Sequence, residues 1–109
     1  MTRRVVVTKQ AEREMQAAFN WWAEHRSKKQ ADQWYTGFAK TIGELSENPE
    51  RHGTSREIEK FGYEIRDLLF GIGRRLTHRA VFTIRDDEVV VLTVRHVAQR
   101  DISPDDLGP

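Results

Sequence analysis

Two β-branched runs, Leu76 to Ile84 and Val89 to Val97, alternate in polarity near the end of the chain. Such alternation predicts strands, because successive side chains of a strand face opposite sides of a sheet. A short polar connection, Asp86 to Glu88, separates the two runs. This arrangement predicts an antiparallel hairpin.

The apolar rows of the two predicted strands set an expected register. Placing both rows against the core pairs Phe82 with Leu92 and Ile84 with Val90, and leaves a three-residue loop at Asp86 to Glu88. The same register places Arg79 opposite Arg95. The rows assigned to the core are Ala80, Phe82 and Ile84 in the first strand, and Val90, Leu92 and Val94 in the second.

A helical period appears twice before this hairpin. The first repeat predicts a helix from about Lys9 to His25, with Thr8 as its cap. The second predicts a helix that begins at Ser27, in a sequence typical of a capping box, and ends at Asn48-Pro49. The two apolar stripes are Ala11, Met15, Ala18, Phe19 and Trp22, then Ala31, Trp34, Tyr35, Phe38, Ile42 and Leu45.

The aromatic residues of these helices favour core packing over a ligand cage. Trp21 is the exception, because adjacent helical residues point about 100° apart and Trp22 already occupies the apolar stripe. An exposed Trp21 would mark a contact surface for another protein.

The remaining segments complete a β-α-α-β-β-β order. Arg3 to Thr8 and Tyr63 to Leu68 are predicted strands, and Glu50 to Lys60 is a predicted loop. Gly71-Ile72-Gly73 is interpreted as a turn, since a lone G-x-G is a weak phosphate-loop signal. The tail from Asp101 is expected to be irregular and to pack through Ile102 and Leu107. The predicted class is α+β: an N-terminal strand, a helical hairpin and a three-stranded antiparallel meander, with the helices on one face of a small antiparallel four-stranded sheet and the other face open.

Composition narrows the functional classes. The 109 residues predict a single domain over 1–109, and the absence of cysteine excludes disulfide and thiolate chemistry. No signal peptide or membrane span is indicated, so a cytoplasmic location is expected. A net charge of +1 argues against a polycation that coats nucleic acid indiscriminately.

Arginines are concentrated in the predicted sheet. Arg79 and Arg95, with Arg66 on the neighbouring strand, would share the open face, where they could bind an anion such as RNA phosphate. The alternative is that they are solvated surface residues. Cleavage of RNA by its own 2′-hydroxyl would also need a general acid or base, for which His96 is the first candidate and His78 the second. Both histidines lie on the core-facing side of their predicted strands, where a histidine is more often packed in the core than catalytic. The acidic turn at Asp86 to Glu88 is interpreted as solvated, so no metal and no cofactor are expected.

The run HRAVFTIRDDEVVVLTVRHVAQRDISPDDL, after YEIRDLLFG and two helices joined to it through NPERHG, resembles the RelE/ParE superfamily of toxins, also called plasmid stabilisation proteins. The resemblance covers nearly the whole chain. It implies a growth-inhibiting toxin that a cognate antitoxin neutralises, with a toxin–antitoxin heterotetramer as one expected form.

The resemblance implies two possible activities. RelE-like members cut mRNA on the ribosome, and here Arg79 and Arg100 match the arginines associated with phosphate binding and transition-state support. Lys60 is what remains of a lysine pair, and His96 is the candidate substitute for a C-terminal tyrosine that has no counterpart after Arg100. The expected nuclease site is therefore Arg79, His96 and Arg100 as catalytic residues, with Lys60, Arg66 and Arg95 binding RNA. The alternative is ParE-like inhibition of DNA gyrase, and a third possibility is a non-toxic relic.

Overall fold

The computed structural model describes residues 2–107 and contains two helices and four strands. In chain order they are β1 (Arg4–Val7), α1 (Lys9–His25), α2 (Lys28–Gly43), β2 (Arg66–Phe70), β3 (His78–Arg85) and β4 (Glu88–His96). Short 3₁₀ turns occupy Glu44–Ser46, Pro49–Arg51, Ile58–Lys60 and Pro104–Asp106. The predicted order and the α+β class are confirmed.

Both helices begin where the sequence predicts. The Thr8 hydroxyl oxygen accepts the N–H of Ala11 at 3.1 Å, and the Ser27 hydroxyl oxygen accepts the N–H of Gln30 at 3.0 Å. Each bond satisfies a backbone donor that has no partner within its helix. The second helix ends at Gly43, five residues before the expected Asn48-Pro49, and continues as a 3₁₀ turn.

The four strands form one mixed sheet in the order β1-β4-β3-β2. The last three strands are an antiparallel meander, as predicted, but β1 pairs in parallel with β4. The expectation of a wholly antiparallel sheet is therefore wrong for β1. The chain leaves β1 through the helical hairpin and crosses to β2 at the opposite edge of the sheet, so that β4 ends up beside β1 in the parallel direction.

A β-bulge divides the main hairpin into two registers. Arg79 lies opposite Arg95 and Ala80 opposite Val94, as predicted, but Phe82 pairs with Val91 instead of Leu92. The register changes because Leu92 is an extra residue on β4. The predicted pairs Phe82 with Leu92 and Ile84 with Val90 are therefore wrong, and Asp86-Asp87 alone forms the turn.

Helix α1 is tied to the bulge through one carboxylate. Glu14 Oε1 accepts hydrogen bonds from the Thr93 hydroxyl at 2.7 Å and from the Val94 N–H at 3.0 Å. A bulge interrupts the regular ladder of a sheet, so groups beside it need other partners. Glu14 supplies such a partner and fixes α1 against β4.

The main core lies between the helices and one face of the sheet. It is built around Trp34 and Phe38 of α2, both fully buried, and around Phe82 of β3. The bulge reverses the parity of β4, so Val89 and Val91 face this core with Val94, whereas the predicted Val90 and Leu92 do not. Among the helix aromatics, Trp34 and Phe38 confirm the core interpretation, and Trp22 packs partly buried against the same core. Tyr35 is exposed, so the interpretation is wrong for that residue.

The second face of the sheet is also covered, which contradicts the expected open face. Phe61, Ile65, Val81 and Ile102 form a second buried cluster, against which Leu92 and Leu107 pack. The covering chain comes from the irregular segment before β2, through Ile58, Phe61 and Ile65, and from the tail. Ile102 and Leu107 thus pack as expected, but on the surface that was predicted to be free.

Candidate functional site

Arg79 lies inside the protein, and its expected exposure is wrong. Its side chain is 2% exposed, and its guanidinium forms a bidentate contact with Glu57, in which Nη1 lies 2.8 Å from Oε1. Nη1 also lies 3.3 Å from both carboxylate oxygens of Asp67. Two carboxylates therefore already bind the guanidinium group that was expected to bind phosphate.

Glu57 joins this arginine to the tail. Its Oε2 accepts the N–H of Ile102 at 2.9 Å, within a fully buried side chain. Burial alone would raise the pKa of Glu57, but the hydrogen bonds from Arg79 and Ile102 outweigh it and lower the pKa to about 2. The same contact with Glu57 raises the pKa of Arg79. The cluster is therefore an ion pair that fixes the covering segments to β3.

The other predicted phosphate-binding residues also have partners within the chain. Arg66 donates to Glu64 at 2.7 Å and to the carbonyl of Glu50 at 3.1 Å. Lys60 lies 3.9 Å from Asp101. Arg95 is buried and donates to the carbonyl of Arg100 at 3.2 Å.

Arg100 is exposed, but it pairs with Asp106 through two contacts, of 3.1 and 2.8 Å. The hydrogen bond from Arg100 holds the pKa of Asp106 well below its usual range. The six predicted nuclease residues thus do not converge on one surface. Five are cations bound to carboxylates or backbone carbonyls, and the sixth, His96, lies on the opposite side of the sheet from Arg79.

His96 is exposed, but its ring is committed to a turn. The N–H of Ala98 donates to His96 Nδ1 at 3.0 Å. Because a backbone amide can only donate, Nδ1 must supply the lone pair, and a neutral ring then carries its proton on Nε2. His96 can therefore donate a hydrogen bond, but Nδ1 can take a proton from a hydroxyl only after it gives up the Ala98 N–H.

His78 is packed into the core, as its parity predicts. It is 8% exposed and lies edge-on to Trp34, with ring centroids 4.8 Å apart. Its centroid is 5.2 Å from that of His96, the residue opposite it in β4. Burial, with a smaller contribution from His96, lowers the pKa of His78 to about 4. His78 is therefore neutral at physiological pH.

A pocket of about 530 Å³ lies at this end of the sheet, between the end of α1 and the segment that leads into β3. We call it the Trp21 pocket. Its basic residues are Arg26 and Arg75, and its polar residues are Thr77, His78 and His96. The apolar and aromatic lining consists of Ala18, Trp21, Trp22, Leu76, Val97 and Ala98.

Trp21 is 47% exposed, which confirms the exposure predicted from its place beside Trp22. His25 stacks on the Trp21 ring at a centroid distance of 4.8 Å, and the Arg26 guanidinium lies 5.8 Å from the ring centroid. These contacts hold the indole at the mouth of the pocket. Leu76, which is 50% exposed, adds a second large apolar side chain.

The lining of the Trp21 pocket is cationic. No aspartate or glutamate is among the described residues that line it, and neither Arg26 nor Arg75 forms a salt bridge within residues 2–107. Sequence reasoning identified Trp21 but missed Arg26, Arg75 and Leu76. The available signal was the basic pair Arg74-Arg75 in a glycine-bounded turn, but no sequence period connects that turn to the end of α1.

A second concavity lies beside the free edge of β1, between the start of α1 and the middle of α2. It has a volume of about 650 Å³ and shares no lining residue with the Trp21 pocket. Met15 and Ile42 contribute apolar surface, while Lys9, Glu12 and Arg13 give a mixed charge. We call it the β1 groove.

In residues 2–107, no group of three or more histidine, aspartate or glutamate side chains is placed to hold a metal ion. Within the same range, neither helix is long and apolar enough to cross a membrane.

The fold places the chain in a class of known proteins. It is similar to a solved structure described as "Chromosomal ParDE TA system from P. aeruginosa", with a TM-score of 0.70 and 17% sequence identity over 88% of this chain and 97% of that chain. At that identity the likeness shows a shared fold. No curated protein matches the sequence.

The family follows from the sequence. The family model described as "ParE toxin of type II toxin-antitoxin system, parDE" matches residues 5–101. The chain therefore belongs to the ParE toxin family, which confirms the resemblance to the RelE/ParE superfamily. It is the toxin component of a type II toxin–antitoxin system, and its partner is a cognate antitoxin.

Proposed function

We propose that this toxin arrests growth by inhibiting DNA gyrase in the cytoplasm, without cleaving RNA. ParE-like members of the superfamily act in this way, and the family match lies in that branch. The observation that carries the proposal is the burial of Arg79. A nuclease needs this arginine free to contact phosphate, but here Glu57 and Asp67 neutralise it.

The state of His96 supports the same proposal. Transition-state support by Arg79 would have to be combined with proton transfer at one phosphate. The sheet separates the two groups, and the lone pair of His96 Nδ1 already accepts the Ala98 N–H. Binding a protein target requires neither step.

One observation favours the alternative, a RelE-like mRNA endonuclease. The Trp21 pocket brings His78 and His96 together with Arg26 and Arg75, a combination of imidazoles and guanidinium groups that phosphoryl transfer can use. In that case the reacting phosphate would bind in this pocket, away from Arg79 and Arg100.

The test is to express the toxin in a bacterial host and follow three quantities after induction. Inhibition of gyrase predicts relaxed plasmid DNA, induction of the SOS response and intact messenger RNA. The purified toxin should also inhibit supercoiling by gyrase holoenzyme in vitro, and preincubation with the cognate antitoxin should relieve that inhibition. Cuts within codons, with plasmid supercoiling unchanged, would contradict the proposal and favour the endonuclease.

A further inference from the structure

The Trp21 pocket has the properties of a binding site for a protein segment. Its volume of about 530 Å³ falls within the range of about 300–1,000 Å³ that is usual for ligand pockets. Trp21 and Leu76 are about half exposed at its mouth, and large apolar side chains that remain in water at a concave site commonly mark a contact surface. Trp and Arg are also the residue types most enriched at binding hot spots.

The charge of the pocket lining indicates which side chains the bound segment carries. Three arginines in or near the sheet, Arg66, Arg79 and Arg100, are paired with carboxylates of the chain itself. Arg26 and Arg75 have no such carboxylate within residues 2–107, and the described lining of the pocket contains no acidic group. A segment with acidic side chains would supply the missing negative charge, and an apolar side chain would cover Trp21 and Leu76.

Nucleic acid fits the same pocket less well. Single-stranded nucleic acid commonly binds by stacking bases on aromatic rings. The Trp21 ring is already contacted by His25, Arg26 and Trp22, the last of them edge-on at a centroid distance of 5.8 Å. A base that stacks on this ring competes with His25, which is already stacked on it, whereas an aliphatic side chain can pack against Leu76, Val97 and Ala98.

The β1 groove and the Trp21 pocket suit different partners. The β1 groove includes Val7 of β1, which is an edge strand of the sheet, so it suits an antitoxin segment that pairs with this edge. The Trp21 pocket uses the opposite end of α1 and has a single sign of charge. We propose that the Trp21 pocket docks an acidic segment of gyrase that carries an apolar anchor residue, an inference that rests on the proposed function.

The experiment compares a double charge reversal at the Trp21 pocket with a single charge reversal at the β1 groove. Arg26→Glu combined with Arg75→Glu changes the Trp21 pocket, and Arg13→Glu changes the β1 groove. Each toxin variant is titrated into a supercoiling assay with gyrase holoenzyme at two salt concentrations. The double variant should lose at least about tenfold in inhibitory potency, because reversed charges repel an acidic segment. Arg13→Glu should inhibit like the wild type, and circular dichroism should confirm that both variants are folded.

A photocrosslinking experiment identifies the molecule that binds in the Trp21 pocket. A photoreactive amino acid at position 76, in place of Leu76, should crosslink to a gyrase peptide rich in aspartate or glutamate. Crosslinks to the DNA of the gyrase–DNA complex would overturn the docking proposal in favour of nucleic acid, as would crosslinks to the antitoxin with none to gyrase.

Failure of the docking proposal can be distinguished from failure of the proposed function. If the wild type inhibits gyrase and the double variant inhibits it equally well, the docking proposal is wrong and the proposed function stands. If the wild type does not inhibit gyrase at all, the proposed function fails, and the docking proposal fails with it.

Discussion

Arg79 and Glu57 form a bidentate ion pair inside the protein, with side chains that are 2% and 0% exposed. The pair connects a strand of the sheet to the irregular segment that covers it, and Glu57 extends the connection to the tail through the N–H of Ile102. A buried charge whose partner is removed is costly, although the intact pair need not be more stable than an apolar substitute. The pair therefore maintains the position of the covering segments.

Arg79→Met should destabilise the protein, because it leaves the buried Glu57 carboxylate without its partner. The expected loss is about 3–5 kcal/mol in the free energy of unfolding, measured by urea titration. Combining it with Glu57→Gln should recover at least half of that loss, since the amide carries no charge but its oxygen can still accept the N–H of Ile102. The exposed Arg100→Ala is the control and should barely move the urea midpoint. A fully stable Arg79→Met that no longer arrests growth would instead assign Arg79 to chemistry.

Stability should fall in acid in two windows that overlap slightly. The folded pKa of His78, about 4, lies below the ordinary value of 6.5, so the unfolded chain binds more protons between these values and stability falls as the pH drops from 6.5 to 4. The total loss is about 3 kcal/mol at 1.36 kcal/mol per pKa unit. The second window begins at pH 4.5, and Glu57 loses its contribution to stability as the pH falls from there to about 2.

The variant His78→Asn tests whether His78 causes the loss of stability between pH 6.5 and 4. Asparagine keeps a polar atom near the Thr77 hydroxyl, which lies 2.8 Å from His78 Nδ1, but it does not titrate. Urea titrations at pH 7 and pH 4.5 should therefore show a smaller difference in the variant than in the wild type. Burial also lowers the pKa of His52, but His52 is present in both proteins and cancels in the comparison. Equal pH dependence in the two proteins would contradict the assignment to His78.

The helices could be predicted from the sequence because a 3.6-residue period is repeated over many residues and each start has a capping side chain. The register of the hairpin could be predicted only as far as Val81. Beyond that point, β4 reads Val89-Val90-Val91-Leu92, which is apolar at every position. Such a run does not show which of its residues face the core, so neither the bulge nor the change of core-facing residues can be predicted from the pattern.

The candidate site was predicted less well for a different physical reason. The segment that buries Arg79 is polar and has no period, so nothing in the sequence indicates that Glu57 reaches 22 positions ahead to pair with it. Trp21 could be predicted, because its exposure follows from helix geometry alone. Arg75 and Leu76 could not, because their position depends on how a turn folds against α1.

Gly71→Ala should disturb the turn that carries Arg75 and Leu76. A Cβ atom at Gly71 would lie 1.9 Å from the carbonyl oxygen of Arg75, so the turn must move. We expect a loss of about 1–3 kcal/mol in the free energy of unfolding, as for other overpacked sites. The potency of gyrase inhibition should also fall, because the turn lines the Trp21 pocket. Gly62→Ala is the matched control, since its Cβ has nothing within 4 Å, and its stability should change by less than about 0.5 kcal/mol.

Ile102→Ala should affect the toxin through stability and not through a lost contact with its target. Ile102 is fully buried in the second cluster with Phe61, Ile65 and Val81, and its N–H donates to Glu57. Truncation of a buried isoleucine leaves a cavity, so we expect a loss of about 2–5 kcal/mol in urea titration. Leu107→Ala should cost less, because Leu107 is only partly buried. Growth arrest by Ile102→Ala should weaken at high temperature and return at low temperature, where enough of the variant is folded. Arrest that stays absent at a temperature where the variant is fully folded would instead place Ile102 in the surface that contacts the target.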